Sequence, residues 1–183
     1  MPPLRKTLNR WFEGASRVAV LGVGSEIRAD DAAGLFIVKL LRKSLASIPA
    51  DRFAVFDGGS APENLTGEIV RFSPTHVLVV DAADFGARPG TVRTIAKEQI
   101  GEVSFSTHRL SLLILTEYLE RSIACKTMVL GIQPKRIGIL EPMSRIVERN
   151  VNRIGMLIAS GIQSAVGGER ADGRKPKPSP ASF

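Results

Sequence analysis

The chain has 183 residues, of which 44% are apolar and 23% charged, proportions typical of one ordinary globular domain. This composition excludes a collagen-like, mucin-like or wholly disordered chain. No uncharged apolar run approaches the roughly 20 residues that span a bilayer, and residues 1–6 lack the apolar stretch of a signal peptide. The single cysteine, Cys125, cannot form an internal disulfide. We therefore expect a cytoplasmic protein with no membrane insertion.

The formal charge of +7 at first suggests a nucleic-acid binder. The excess is greatest at the two ends of the chain: residues 1–17 carry a net charge of +3 and residues 167–183 a net charge of +2. The body, residues 18–166, keeps only +2. We interpret this charge as belonging to solvated termini and expect no nucleic-acid partner.

Three segments are predicted along the chain. Residues 1–16 form a basic N-terminal helical extension, because Leu4, Leu8, Trp11 and Phe12 recur at helical spacing. Residues 17–166 form a single α/β domain. Residues 167–183 form a disordered basic tail, since they offer too little apolar surface to offset the entropy of ordering.

Within the body, predicted strands and helices alternate. Apolar and β-branched runs predict strands at residues 18–24, 53–56, 76–80 and 126–132. Two further short strands are predicted at residues 91–95 and 136–140. Helical periodicity predicts helices at residues 31–47, 62–72, 108–121 and 144–163, the first with Asp30 as its N-cap. Such alternation predicts an α/β fold, a three-layer α/β/α sandwich whose sheet is mostly parallel with an antiparallel edge strand.

Acidic residues follow three of these strands, and a histidine leads into the third helix. In an open α/β sheet, ligands bind beyond the carboxyl ends of the strands, so these residues should meet at one rim. The residues expected there are Asp30, Asp31, Asp57, Gly58, Gly59, Asp81, Asp84 and His108. Carboxylates together with an imidazole suit a divalent metal ion.

Each of these residues also has a purely structural interpretation. Asp30 and Asp31 stand where helix caps and first-turn acids are common, Asp57 with its two glycines can be a tight turn, and His108 can cap or pack. A functional site is favoured only because all of these residues are expected at the same rim of the sheet.

A dinucleotide site is disfavoured at the same rim. Gly22 and Gly24 begin a dinucleotide-binding motif, but Ile27 stands where its third glycine should fall. The helix that would hold the pyrophosphate opens with two aspartates, which would repel it.

Seven short motifs occur in an order that resembles the [NiFe]-hydrogenase maturation endopeptidases, most of all those that process energy-converting, formate-hydrogenlyase-like hydrogenases. They are VLGVG at 20–24, ADDAAG at 29–34, FDGGSAPEN at 56–64, VVDAAD at 79–84, PG at 89–90, STH at 106–108 and LGIQP at 130–134. The similarity runs from about residue 17 to residue 160, outside both basic ends.

The resemblance implies an aspartic-type endopeptidase that removes a C-terminal extension from the hydrogenase large-subunit precursor after nickel insertion. In that family the metal-contacting residues match Asp31, Asp81 and His108, and Asp31 stands where many members carry glutamate. Nickel is then carried by the substrate rather than held permanently, although other divalent cations can occupy the site. Asp57 is expected to join the catalytic set, with Gly58, Gly59 and Asp30 placing the substrate. We expect a monomer.

Two other functions fit parts of the pattern. A nickel checkpoint or chaperone that binds the precursor without cutting it would need the same ligands. A hydrolase of RNA-linked substrates would use the basic charge, but the acidic rim argues against it.

Overall fold

The structure is a computed structural model that describes residues 2–96, 104–105 and 109–168. Two sequence predictions lie outside the described residues: the role of His108 and the disordered tail beyond residue 168. None of the described helices is both long and apolar enough to cross a membrane.

Among the described residues, six strands form the sheet at the centre of the molecule. They are β1 (Val18–Val23), β2 (Phe53–Gly59), β3 (His76–Asp84), β4 (Val92–Ile95), β5 (Ser104–Phe105) and β6 (Lys126–Ile132). The main order is β2-β1-β3-β6-β4, and β5 pairs with the end of β3. The first four strands in this order are parallel, whereas β4 runs antiparallel at the edge. The predicted antiparallel edge strand is therefore confirmed.

In the described part of the chain, five helices cover the two faces of the sheet. They are α1 (Pro2–Phe12), α2 (Ala33–Ser44), α3 (Thr66–Phe72), α4 (Arg109–Ile123) and α5 (Arg145–Val166). Short 3₁₀ turns, Ala29–Ala32 and Pro62–Leu65, lead into α2 and α3. Because alternate residues of the strands face opposite sides, α1, α2 and α5 share one apolar core and α3 and α4 the other. The predicted three-layer α/β sandwich is confirmed.

Two local predictions are wrong. Residues 136–140 form no strand; an isolated bridge joins Arg28 to Glu141, and Leu140 has a φ of 59°, which ends any extended run. Asp30 does not cap α2, because it lies inside the 3₁₀ turn and its carboxylate binds a distant loop instead.

Two predicted strands are longer than expected. The second continues to Gly59 and the third to Asp84. Asp57 and Asp81 therefore lie within strands, near their carboxyl ends, rather than in the loops that follow.

The N-terminal helix packs into the main core. Leu8 and Phe12 are buried with the apolar face of α5. Gly161 of α5 makes room for the ring of Phe12, since a Cβ there would lie 2.8 Å from Phe12 Cδ2. The Trp11 ring stands edge-on to His76, with ring centroids 5.0 Å apart. This helix therefore contributes to the stability of the domain it precedes.

Replacing Leu8 by alanine should lower the free energy of unfolding by about 2–4 kcal/mol, because it empties a fully buried position. The measurement is urea unfolding followed by circular dichroism. Lys6→Ala on the exposed side of the same helix is the matched control and should change stability by less than about 0.5 kcal/mol. Equal effects of the two substitutions would show that α1 adds nothing to the core.

Candidate functional site

Glycines bring the start of α2 against the ends of β1 and β3. A Cβ at Gly34 would lie 2.2 Å from the carbonyl oxygen of Val80 and 2.5 Å from that of Val23. Gly24 has a φ of 135°, and a Cβ there would lie 1.8 Å from the carbonyl oxygen of Asp31. Only glycine permits such approaches. The 3₁₀ turn that carries Asp31 is thereby packed against β3.

Asp31 and Asp81 are both fully buried, and they interact electrostatically. The pKa of Asp81 is raised well above its usual value, chiefly by burial and then by the charge of Asp31. One hydrogen bond opposes this rise: the backbone N–H of Ala82 donates to Asp81 Oδ1 at 2.7 Å. Two buried carboxylates held together destabilise the fold unless a proton or a cation compensates them.

Three oxygens of this pair have no hydrogen-bond partner among the residues that the structure describes: both carboxylate oxygens of Asp31 and Oδ2 of Asp81. Buried polar atoms are normally paired, so such orphans call for a ligand. Carboxylate oxygens are ordinary ligands of divalent cations. The carboxylate oxygens of this pair therefore fit a divalent cation, and the metal site expected from the sequence stays a prediction.

A crevice of about 200 Å³ opens beside this pair. It is lined by Asp31, Ala82, Asp84, Pro134, Lys135, Arg136 and Ile137. The pKa of Asp84 is lowered, first by the hydrogen bond from the Gly86 backbone N–H and then by that from Gln133. Asp84 is therefore a charged carboxylate at the mouth of the crevice. A larger groove of about 680 Å³ lies between α1, α5 and β4 and is lined by neither Asp31 nor Asp81.

The expected third ligand, His108, lies outside the described residues. Among residues 2–96, 104–105 and 109–168, no three histidine, cysteine, aspartate or glutamate side chains are grouped so as to hold a metal ion. The structure thus brings together Asp31 and Asp81, and the complete set of three stays a prediction.

Asp30 is buried like its neighbour but is fully engaged. Its carboxylate accepts four hydrogen bonds, from the backbone N–H groups of Lys135, Arg136 and Ser144 and from the Ser144 hydroxyl. These distances range from 2.6 to 3.1 Å. Asp30 therefore anchors the loop that walls the crevice, and its role in placing the substrate stays a prediction.

Asp57, Gly58 and Gly59 end the edge strand β2. The Asp57 side chain is exposed, and its Cα pairs with Gly22 of β1. Since β1 separates β2 from β3, Asp57 lies about 10 Å from the strand of Asp81 at ordinary strand spacing. The carbonyl of Gly59 accepts a hydrogen bond from Gly24 N–H at 3.0 Å. These residues belong to the same end of the sheet but do not line the 200 Å³ crevice.

Two residues of the site were given no role by the sequence analysis. Gln133 is buried, donates to Asp84 Oδ1 at 3.0 Å and accepts from the backbone N–H groups of Phe85 and Ala87. It directly follows β6, so the rule that ligands bind beyond strand ends could have singled it out. Ser144 precedes α5 and holds Asp30; no local signal reveals that contact.

Comparison with known proteins places this fold and crevice in a family. The family model described as hydrogenase maturation protease, HycI, matches residues 36–160. The hydrogenase 3 maturation protease of Escherichia coli is 37% identical over 136 residues, which cover 74% of this chain and 84% of that protein. The chain therefore belongs to the hydrogenase maturation protease family, as the resemblance of its motifs implied. It is a peptidase, so the non-proteolytic alternative is not supported.

Solved structures agree with this assignment. The crystal structure of the [NiFe] hydrogenase maturation protease HycI from Thermococcus kodakarensis aligns with a TM-score of 0.77 at 28% identity, over 86% of this chain and 99% of that one. The hydrogenase maturating endopeptidase HybD from E. coli aligns with a TM-score of 0.68 over 81% of this chain and 93% of that one. At 22% identity, this second likeness shows the fold alone.

Replacing Asp81 by asparagine should stabilise the metal-free protein by roughly 1–3 kcal/mol, because it removes a buried charge that faces another carboxylate. The folded state holds the Asp81 proton to a higher pH than the unfolded chain does, so wild-type stability falls as the pH rises above the usual aspartate range. The advantage of Asp81→Asn should therefore widen with rising pH. Urea unfolding in a chelating buffer measures both effects.

Asp30→Asn is the matched comparison at a buried aspartate whose charge is compensated. This variant should lose about 2 kcal/mol or more of its free energy of unfolding, because an amide cannot accept all four donated hydrogen bonds. A loss of stability in Asp81→Asn equal to that in Asp30→Asn would contradict the distinction between the two carboxylates.

Replacing Gly34 by alanine should destabilise the protein by about 3 kcal/mol or more, since the new methyl group meets backbone oxygens that cannot move aside. Thermal unfolding is the measurement. Gly67→Ala in α3 is the control: its Cβ would meet nothing within 4 Å, and alanine favours a helix by up to about 1 kcal/mol. Similar melting temperatures for Gly34→Ala and the wild type would show that this packing is not restrictive.

Proposed function

We propose that this peptidase removes the C-terminal extension of a [NiFe]-hydrogenase large-subunit precursor once nickel has been inserted, and that it recognises the nickel carried by that substrate. The observation that supports the proposal most directly is the buried pair Asp31 and Asp81. Three of its oxygens have no hydrogen-bond partner among the described residues, and Asp31 lines the 200 Å³ crevice. Family membership supplies the reaction class, and the carboxylate pair supplies a means of sensing metal.

Nickel in the precursor acts here as part of the substrate. Asp31, Asp81 and His108 would complete its coordination, so that only a loaded precursor seats its adjacent peptide bond at the crevice. Burial and the charge of Asp31 raise the pKa of Asp81, so metal binding at this carboxylate competes with protonation. A site that needs the metal to compensate its own charges avoids the cleavage of unrelated proteins.

A nearby carboxylate is needed to accept a proton from the attacking water. Asp84 lines the crevice and is ionised, so its position suits this role. Asp57, the residue expected from the sequence, lies on β2 and does not line the crevice. It would therefore contact the substrate only outside the crevice. The metal polarises the scissile carbonyl or the water when bound. Asp84 and Asp57 are both candidates for the proton acceptor. We also propose that the enzyme is a monomer and acts in the cytoplasm.

Asp31→Asn and His108→Ala should each reduce cleavage of nickel-loaded precursor by about 100-fold or more, because each removes one metal ligand. The shortened large subunit is followed by gel mobility, and circular dichroism checks that each variant is folded. Asp51→Asn, at an exposed turn, is the matched control and should cleave normally. Nickel-free precursor should stay uncut by the wild type.

The same assay separates the two proton acceptors. Loss of turnover in Asp84→Asn with retention in Asp57→Asn supports the residue in the crevice, and the reverse supports the residue on β2. Normal cleavage by both Asp31→Asn and His108→Ala would overturn the proposal.

A further inference from the structure

Four large apolar side chains are exposed at one edge of the crevice. We call Ile27, Ile137, Ile139 and Leu140 the apolar rim. Their exposed fractions are 57%, 41%, 68% and 83%, and they make up four of the nine exposed large apolar residues among those described. Exposed apolar residues scattered singly are common, whereas a contiguous group marks an interaction site.

The apolar rim is continuous with the acidic crevice. Ile137 lines the crevice together with Asp31. Ile139 and Leu140 follow within three residues, and the backbone N–H of Leu140 donates to the carbonyl of Ile27 at 2.6 Å. A polypeptide that enters the crevice past Ile137 would therefore meet these side chains.

The loop that presents the rim is held in place by polar contacts. The carboxylate of Asp30 anchors residues 135, 136 and 144, and the Asp30 backbone N–H donates to the carbonyl of Arg136 at 3.2 Å. An ion pair of 3.1 Å between Arg136 and Glu141 closes the loop. These contacts keep the apolar side chains exposed, and a surface prepared in this way binds with a small loss of conformational entropy.

Leu140 adds evidence of strain. Its φ of 59° lies in the left-handed region, which ordinary side chains rarely adopt. Its side chain gains little within the fold, because it is 83% exposed. Strained residues of this kind cluster at active sites and ligand-binding positions.

We propose that the apolar rim is the docking surface for an apolar segment of the large-subunit precursor, the segment that leads to the cleaved bond. This inference rests on the proposed function and deepens it: the carboxylate pair tests for nickel, and the rim fixes the path of the polypeptide. The two sites contribute differently, since the rim supplies affinity for the substrate and the pair supplies the chemistry.

The test compares Ile139→Gln combined with Leu140→Asn against Met156→Gln. Asparagine tolerates positive φ, so the rim variant should fold at least as well as the wild type. Met156 is 61% exposed on α5, away from the crevice lining, so its variant controls for the loss of a surface apolar side chain. With nickel-loaded precursor, the rim variant should raise KM by about tenfold with kcat within about twofold, and Met156→Gln should change neither.

Direct binding of the precursor separates this inference from the proposed function. In fluorescence anisotropy with labelled precursor, the rim variant should bind about tenfold more weakly than the wild type, whether or not cleavage occurs. Unchanged binding and KM would overturn the docking surface and leave the protease proposal standing. Tight, rim-dependent binding without any cleavage would overturn the proposed reaction alone. Sedimentation that shows a wild-type dimer lost in the rim variant would assign the rim to a second copy and overturn the proposal.

Discussion

The absence of a Cβ at two positions determines where the site can form. At Gly24 and Gly34 the chain that enters α2 lies in contact with backbone oxygens at the ends of β1 and β3. Close packing of this kind leaves no space for adjustment. The position of the 3₁₀ turn, and with it the burial of Asp30 and Asp31, follows from that contact. The arrangement of the crevice therefore depends on backbone packing before any charged group takes part.

The buried aspartates show how one fold treats identical side chains differently. Four donors satisfy Asp30, whereas three oxygens of Asp31 and Asp81 have no partner. The first arrangement favours stability and the second opposes it. Natural proteins depart from full satisfaction of buried polar groups mainly where function requires it. The unsatisfied pair is thus one place in the described structure at which stability has been given up.

Much of the fold and part of the site could be predicted from the sequence, for a physical reason. Buried strands and amphipathic helices have local periodicities, so the alternation of elements, the edge strand β4 and the acidic strand ends were all readable. Contacts between residues that lie far apart in the sequence could not be predicted. The donors to Asp30 lie 105 to 114 residues away along the chain, and nothing near Asp30 distinguishes it from a helix cap. Residues 136–140 look like a strand because strands and exposed apolar loops share the same residue types.

Asp30 and Asp31 are consecutive residues with separate tasks, and one peptide unit therefore connects the two parts of the crevice. A displacement of the loop at 135–144 acts on Asp30 through its hydrogen bonds, and the rigid turn passes that displacement to Asp31. Because Asp30 holds the loop and Asp31 belongs to the unpartnered pair, the geometry of the carboxylates depends on the position of residues 135, 136 and 144. The loop and the pair are therefore joined through the backbone as well as through side chains.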